Sequence, residues 1–241
     1  MKLEEGKTVL YVDGEPFTQC KYLLLQIPVE RINDLNGINS IDEAAENLSH
    51  ILEPYDDFER VDKIDSKTEF WGHCSNLQAW YENNYDTRLL HSNLSFTLLK
   101  KLAEVGDLLA RKVFKEEILS RLESGYPEVI TFLIIEKYID YLEREDFLLS
   151  VLNEEDAFAI LEIEKLLKIK LIAGYEGYDF CGKNAFAFEN QKVFSLQLFN
   201  LKAKSAFKYI TKLEHLYFLS LNGGDLTKLP RLNLHTFKLV A

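Results

Sequence analysis

From Leu213 to Pro230 the chain reads LEHLYFLSLNGGDLTKLP. Leu213, Leu216, Leu219 and Leu221 fall at offsets 0, 3, 6 and 8, and Leu226, Leu229 and Pro230 follow. That is the spacing of a leucine-rich repeat: a short strand, a turn and a return segment. One such unit cannot bury its leucines alone and must stack on a neighbour. Upstream, Leu196-Gln197-Leu198 precedes Leu219-Ser220-Leu221 by 23 residues at each leucine. Downstream, Phe237-Lys238-Leu239 follows 18 residues later, inside the tract Leu234-x-x-Phe237-x-Leu239. Known repeats run about 20–29 residues, so the first interval fits and the second is short. The reading is two repeats and a final strand. It predicts that Leu196, Leu219 and Phe237 occupy the same inward rung of one parallel ladder.

Strand side chains alternate between faces, so the neighbours of the inward leucines point the other way. They form the candidate partner-binding set: Ser195, Gln197 and Phe199; Phe218, Ser220 and Asn222; Thr236, Lys238 and Val240. Phe199 and Phe218 would be aromatic anchors among small polar residues, the composition of an interface centre. Three repeats or more are normally needed for a free-standing array. The residues before the tail are therefore expected to cap it, and the final strand could instead pair with a second copy of the chain.

Working outward, Gly174, Gly177 and Gly182 mark a boundary between this strand-like tail and a helical stretch. Capping boxes at Ser40-Ile41-Asp42-Glu43 and Ser66-Lys67-Thr68-Glu69 open helices. The first continues through Ile41, Ala44, Ala45, Leu48 and Leu52 until Pro54. The second carries Phe70, Trp71, Leu77, Trp80 and Tyr81. Further helices hold Phe96, Leu98, Leu99 and Leu102, then Leu108, Leu109, Val113, Phe114 and Ile118, then Val129, Phe132, Leu133, Tyr138 and Leu142. Gly106-Asp107 and Gly125-Tyr126-Pro127 separate them, with Asp107 a natural N-cap. Asn153 caps the last helix, whose acids lead and whose lysines trail, as the helix dipole favours. At the other end of the chain, Thr8–Val12 is β-prone and Asp13-Gly14 is a hairpin turn signal. Cys20–Ile27 is a second apolar run, and residues 56–65 form an acidic connector.

The expected fold class is α+β. It comprises an N-terminal β-hairpin plus helix over residues 1–65, a central helical block over 66–182, and a short leucine-rich-repeat tail with a parallel strand ladder over 183–241. At 47% hydrophobic and 28% charged residues the chain has an ordinary globular composition. No apolar run reaches the roughly 20 residues of a membrane span, and the first residues lack a signal-peptide pattern. The cytoplasm is the expected compartment. Three widely spaced cysteines, Cys20, Cys74 and Cys181, fit reduced thiols.

The net charge of −11 argues against nucleic acid or an anionic membrane as partner. It is unevenly spread. Residues 1–65 carry 6 basic and 15 acidic side chains, residues 66–182 carry 13 and 21, and residues 183–241 carry 9 and 3. The basic tail either docks on the acidic remainder or takes an acidic protein partner.

The segment Glu69 to Arg121, EFWGHCSNLQAWYENNYDTRLLHSNLSFTLLKKLAEVGDLLARKVFKEEILSR, resembles the shared N-terminal region of a group of archaeal leucine-rich-repeat proteins. The stretch WGHCSNLQAWYENNYDTRLLHSNL carries most of the resemblance, with VDGEPFTQCKYLLLQIP and the tail strands adding to it. In that group a hairpin-containing start and a helical block precede a variable number of repeats. The resemblance implies a repeat-bearing scaffold and brings no catalytic residues, cofactor or metal.

The rival reading is a hydrolase or metal-dependent enzyme centred on Cys74 and His91, with His73 and Asp86 close in sequence. These are metal-ligand or nucleophile types. Against it, consecutive residues such as His73 and Cys74 lie about 100° apart around a helix axis and cannot readily share one tetrahedral ion. Their spacing to His91 matches no zinc signature, and no P-loop, GxGxxG, GxSxG or HExxH is present. The expectation is a non-enzymatic protein-interaction module with no metal and no cofactor.

Overall fold

The computed structural model describes residues 1–17, 37–40, 42–44, 65–174, 182–199, 206–222 and 236–240, the backbone alone for 222 and 236–240. The run Cys20–Ile27, the helical run to Pro54, the acidic connector, Gly177 and the repeat turn at Gly223-Gly224 lie outside the described residues. The chain divides into two units, Met1–Glu117 and Ile118–Ala241.

The first unit begins as an antiparallel meander of β1 (Lys2–Glu4), β2 (Lys7–Val12) and β3 (Glu15–Phe17). Its turns are Glu5-Gly6, with φ of 48° and 73°, and Asp13-Gly14, with φ of 51° and 80°. Paired positive φ angles make two-residue turns whose twist matches the strands. The Asp13-Gly14 hairpin stands where the sequence places it, whereas the strand before it has no conventional turn signal. Helix α1 (Ser66–Glu82) packs against β1 and β2. Its cap departs from expectation by one residue. Asp65, not Ser66, accepts the Lys67 and Thr68 N–H groups at 3.0 and 3.1 Å. A carboxylate is the stronger acceptor for orphan helix N–H groups, and it draws Ser66 into the first turn. The other box also shifts: Ser40 Oγ accepts from Glu43 N–H, but the Glu43 carboxylate reaches the N–H of Asn39.

Helix α1 ends in a Schellman motif. Asn84 N–H donates to Tyr81 O and Tyr85 N–H to Trp80 O, with Asn84 at φ 57°. A 3₁₀ turn (Thr87–Leu89), helix α2 (Ser92–Glu104) and helix α3 (Leu108–Glu123) follow. A second Schellman motif closes α2, with Gly106 at φ 98°, where only glycine sits without cost. Asp107 caps α3, accepting from Ala110 N–H at 2.9 Å. The Phe96 and Phe114 rings, both buried, meet with centroids 5.1 Å apart.

Helix α3 runs through the division between the units. In the second unit α4 (Pro127–Ile135) starts with proline at its first turn, where the missing N–H is not needed. Lys137, left-handed at φ 59°, turns the chain into a 3₁₀ segment (Tyr138–Tyr141). Then come α5 (Arg144–Val151) and α6 (Glu154–Leu167). Asn153 caps α6 through Asp156 N–H, as its sequence position implies.

A five-stranded sheet completes this unit, in the order β4-β5-β6-β7-β8. Its strands are β4 (Ile172–Gly174), β5 (Ala185–Glu189), β6 (Lys192–Phe199), β7 (Phe218–Asn222) and β8 (Thr236–Val240). Strands β5 and β6 form an antiparallel hairpin across Asn190-Gln191, so the sheet begins as a hairpin and not as a repeat coil. From β6 onward the ladder is parallel, and Leu196 pairs with Leu219 and Leu219 with Phe237. The predicted rung is the observed register. Leu196, Leu198, Leu219 and Leu221 are fully buried, and Leu213 and Leu216 nearly so. The return from β6 to β7 carries the short helix α7 (Phe207–Ile210).

Candidate partner-binding face and polar clusters

The ladder aligns the outward residues of three strands in rows. Ser195, Phe218 and Thr236 make one row; Gln197, Ser220 and Lys238 the next; Phe199, Asn222 and Val240 the third. All the candidate partner-binding residues thus share one side of consecutive strands by alternation. Ser195, Gln197, Phe199 and Phe218 are half-buried, and Ser220 is 7% exposed, so the described part of this face is sheltered. Phe199 is fixed by its backbone, its N–H donating to Asn184 Oδ1 at 2.7 Å.

The chemically reactive candidates of the first unit are not gathered into one site. His73 Nε2 lies 3.6 Å from Glu69, one turn earlier on α1. The Cys74 thiol is half-buried and free. His91 is the N-cap of α2, its Nδ1 accepting from Asn93 N–H at 3.3 Å, while its Nε2 lies 3.3 Å from Asp42. The same Asp42 carboxylate accepts from Ser92 N–H at 3.1 Å. Asp86 is held by Arg88 through a fork of contacts of 2.6 to 3.2 Å, and this guanidinium lowers its carboxyl pKa. Each side chain serves a helix end or a local pair. Among the described residues no group of three or more His, Cys, Asp or Glu is placed to hold a metal ion. Nor is any described helix long and apolar enough to cross a membrane.

Tyr85 and Asp107 form a further polar link in that unit. The Tyr85 hydroxyl donates to Asp107 Oδ2 at 2.6 Å while its ring lies 4.6 Å from that of Trp80. Burial, then the neighbouring carboxylate, raises the Tyr85 pKa. Asp107 is lowered: burial pushes its carboxyl up, but bonds from the Ala110 N–H and the Tyr85 hydroxyl outweigh it.

Two clusters in the second unit escape sequence reading. In one, Arg144 reaches back from α5 to Glu164 on α6, with Nη2–Oε1 at 2.6 Å and Nε–Oε2 at 3.1 Å. Arg144 also donates to Leu171 O at 2.9 Å, and Leu171 N–H donates to Glu164 at 2.7 Å. The knot ties both helices to the residue that leads into β4. In the other, Asp156 on α6 is 4% exposed and accepts the Val193 N–H at 2.7 Å. Burial raises its carboxyl pKa despite that bond and the nearby charges of His215 and Lys192. The Asn153 backbone and side-chain N–H groups both donate to Gln191 O, at 2.8 and 3.0 Å. Beside these, Lys192 Nζ lies 2.6 Å from His215 Nε2.

A signal for the last contact was available. Lys192 and His215 are 23 residues apart, the interval of the leucine register. Tyr217 N–H donates to Phe194 O at 2.8 Å, which carries the same offset upstream of the ladder. Comparison with models of known protein families finds no match. Comparisons with curated proteins and with solved structures find none either.

Proposed function

We propose that this protein is a non-enzymatic recognition module, an adaptor or scaffold of the leucine-rich-repeat kind, that holds a partner protein across the rows of β6, β7 and β8. The observation that carries this reading is the ladder itself. Inward leucines repeat at one register, and the alternate positions are left to form three aligned rows with Phe199 and Phe218 among small polar residues. A surface built by stacking equivalent residues suits an extended partner segment. The basic excess of residues 183–241, 9 side chains against 3, favours an acidic one.

The test is partner recovery by affinity purification from the native cell, comparing the intact chain with Phe199→Asp/Phe218→Asp. Both rings are half-buried and neither belongs to the leucine core, so the double variant is expected to keep its circular dichroism spectrum and lose its partner. Undiminished recovery by a folded double variant rejects the face. A second reading, self-association, follows from β8 standing last in the sheet order. Light scattering across a concentration series separates the two, since only self-association raises the solution mass of the purified chain.

A further inference from the structure

We infer that Lys192 and His215 form a proton-controlled latch that holds the β5–β6 hairpin against the segment leading into β7, closed when His215 is neutral and released when it is protonated. The argument starts from one distance. Two nitrogens 2.6 Å apart can share only one hydrogen between them. If both side chains were fully protonated, two N–H groups would point at each other. An alkyl ammonium holds its proton more tightly than an imidazole, so the lysine is the donor and the ring nitrogen supplies the lone pair. The closed arrangement therefore requires a neutral imidazole with its hydrogen on Nδ1. Imidazole is also the side chain that changes charge between pH 5 and 8. Adding a proton to Nε2 removes the acceptor and sets two cations side by side.

The surroundings contain charges of both signs. Asp156 and Glu155 face the cluster from α6, with Asp156 fastened to Val193 N–H, the residue after Lys192. Glu189 is the ladder partner of Lys192 on β5, and Glu214 adjoins His215 in the chain. The acids on both sides ease the charge of a protonated ring. None of them restores the hydrogen bond to Lys192, because an imidazolium has no acceptor left. What the proton changes is thus local: the contact between the hairpin and the entrance to β7. Immediately beyond it, Tyr217 N–H bonds Phe194 O, one residue before the parallel register begins at Ser195 and Phe218. Opening the latch exposes that bond first. The proposal concerns the ladder's own integrity and stands whether or not the strand face binds a partner.

Amide hydrogen exchange at Tyr217, expressed as a protection factor so that the intrinsic pH dependence cancels, is the direct readout. For the intact chain, protection is expected to fall about tenfold between pH 7.5 and pH 5.5, the loss of roughly one net hydrogen bond. In His215→Gln the amide oxygen still accepts from Lys192 but does not titrate, so protection should be equal at the two pH values. In Lys192→Met the latch cannot close, and protection should be low at both. Constant protection in the intact chain overturns the proposal. So does an equal acid-induced loss in either variant, which would place the sensitivity in Asp156 or elsewhere.

Discussion

Removing Arg144 tests whether the α5–α6 knot holds the second unit together. The Arg144 and Glu164 side chains are 18% and 9% exposed, and the guanidinium lies over the Phe147 ring at 5.3 Å. In Arg144→Met the Glu164 carboxylate keeps one donor, the Leu171 N–H, and loses the two from Arg144. The Leu171 carbonyl loses its side-chain donor as well. Breaking a buried pair from one side costs about 3–5 kcal/mol. Water reaches part of the guanidinium, so the lower end, about 3 kcal/mol, is the expected loss. Adding Glu164→Gln should then recover about 1–2 kcal/mol. The amide still accepts from Leu171 N–H, can donate to Leu171 O, and leaves no unpaired charge. The assay is urea unfolding followed by far-ultraviolet circular dichroism. Both tryptophans, Trp71 and Trp80, lie in the first unit, so their fluorescence supplies an independent record of that unit. A loss under 1 kcal/mol for Arg144→Met, or a double variant less stable than the single one, would refute the reasoning.

Three further outcomes are expected. Asp156→Asn should be at least as stable as the parent at pH 7, because the amide still accepts from Val193 N–H without the cost of burying a charge; Asp156→Ala should lose about 1–3 kcal/mol by orphaning that N–H. The pH dependence has a definite sign. From the ordinary aspartate value of about 3.9 up to its raised folded value, the folded chain holds a proton that the unfolded chain has released. This group's contribution therefore falls as pH rises through that window, and urea midpoints of Asp156→Asn should gain on the parent there. Tyr85→Phe should cost about 1.5–3 kcal/mol, the range for a hydrogen bond to a charged group, read by tryptophan fluorescence during unfolding. Gly106→Ala should cost about 1–2 kcal/mol through its left-handed backbone alone, since no neighbouring atom meets the added methyl, and Gly106→Asn should cost less.

What could be read from the sequence were features whose physics is local or periodic. The Asp13-Gly14 turn and the Asn153 and Asp107 caps each rest on a residue type acting within three positions of itself. The rung Leu196, Leu219 and Phe237 rests on period alone. Other elements stayed hidden because the deciding partner was distant or the residue unconventional. The turn at Asn190-Gln191 has no glycine, yet both residues take positive φ, so a hairpin passes for a single strand-like run. Helix α5 is only eight residues long and has no side-chain cap. Asp156 sits among the acids of a helix start, where a solvated charge is the default reading. Its burial is decided by Val193, 37 residues away.

The repeat register also explains why a lysine stands opposite a histidine. A parallel ladder with a constant offset sets equivalent residues of successive repeats side by side, so repeating a lysine would place two ammonium groups in contact. Like charges directly across a strand pair are destabilising. A histidine at the second position removes that repulsion at neutral pH and turns the neighbour into an acceptor. The same substitution makes the junction sensitive to protons, which no apolar pair at this site would be. The half-exposed edge of the sheet is thus where the repeat departs from strict equivalence. The interior rung, built from leucine on leucine, has no such conflict and keeps its repeat unchanged between Leu196 and Leu219.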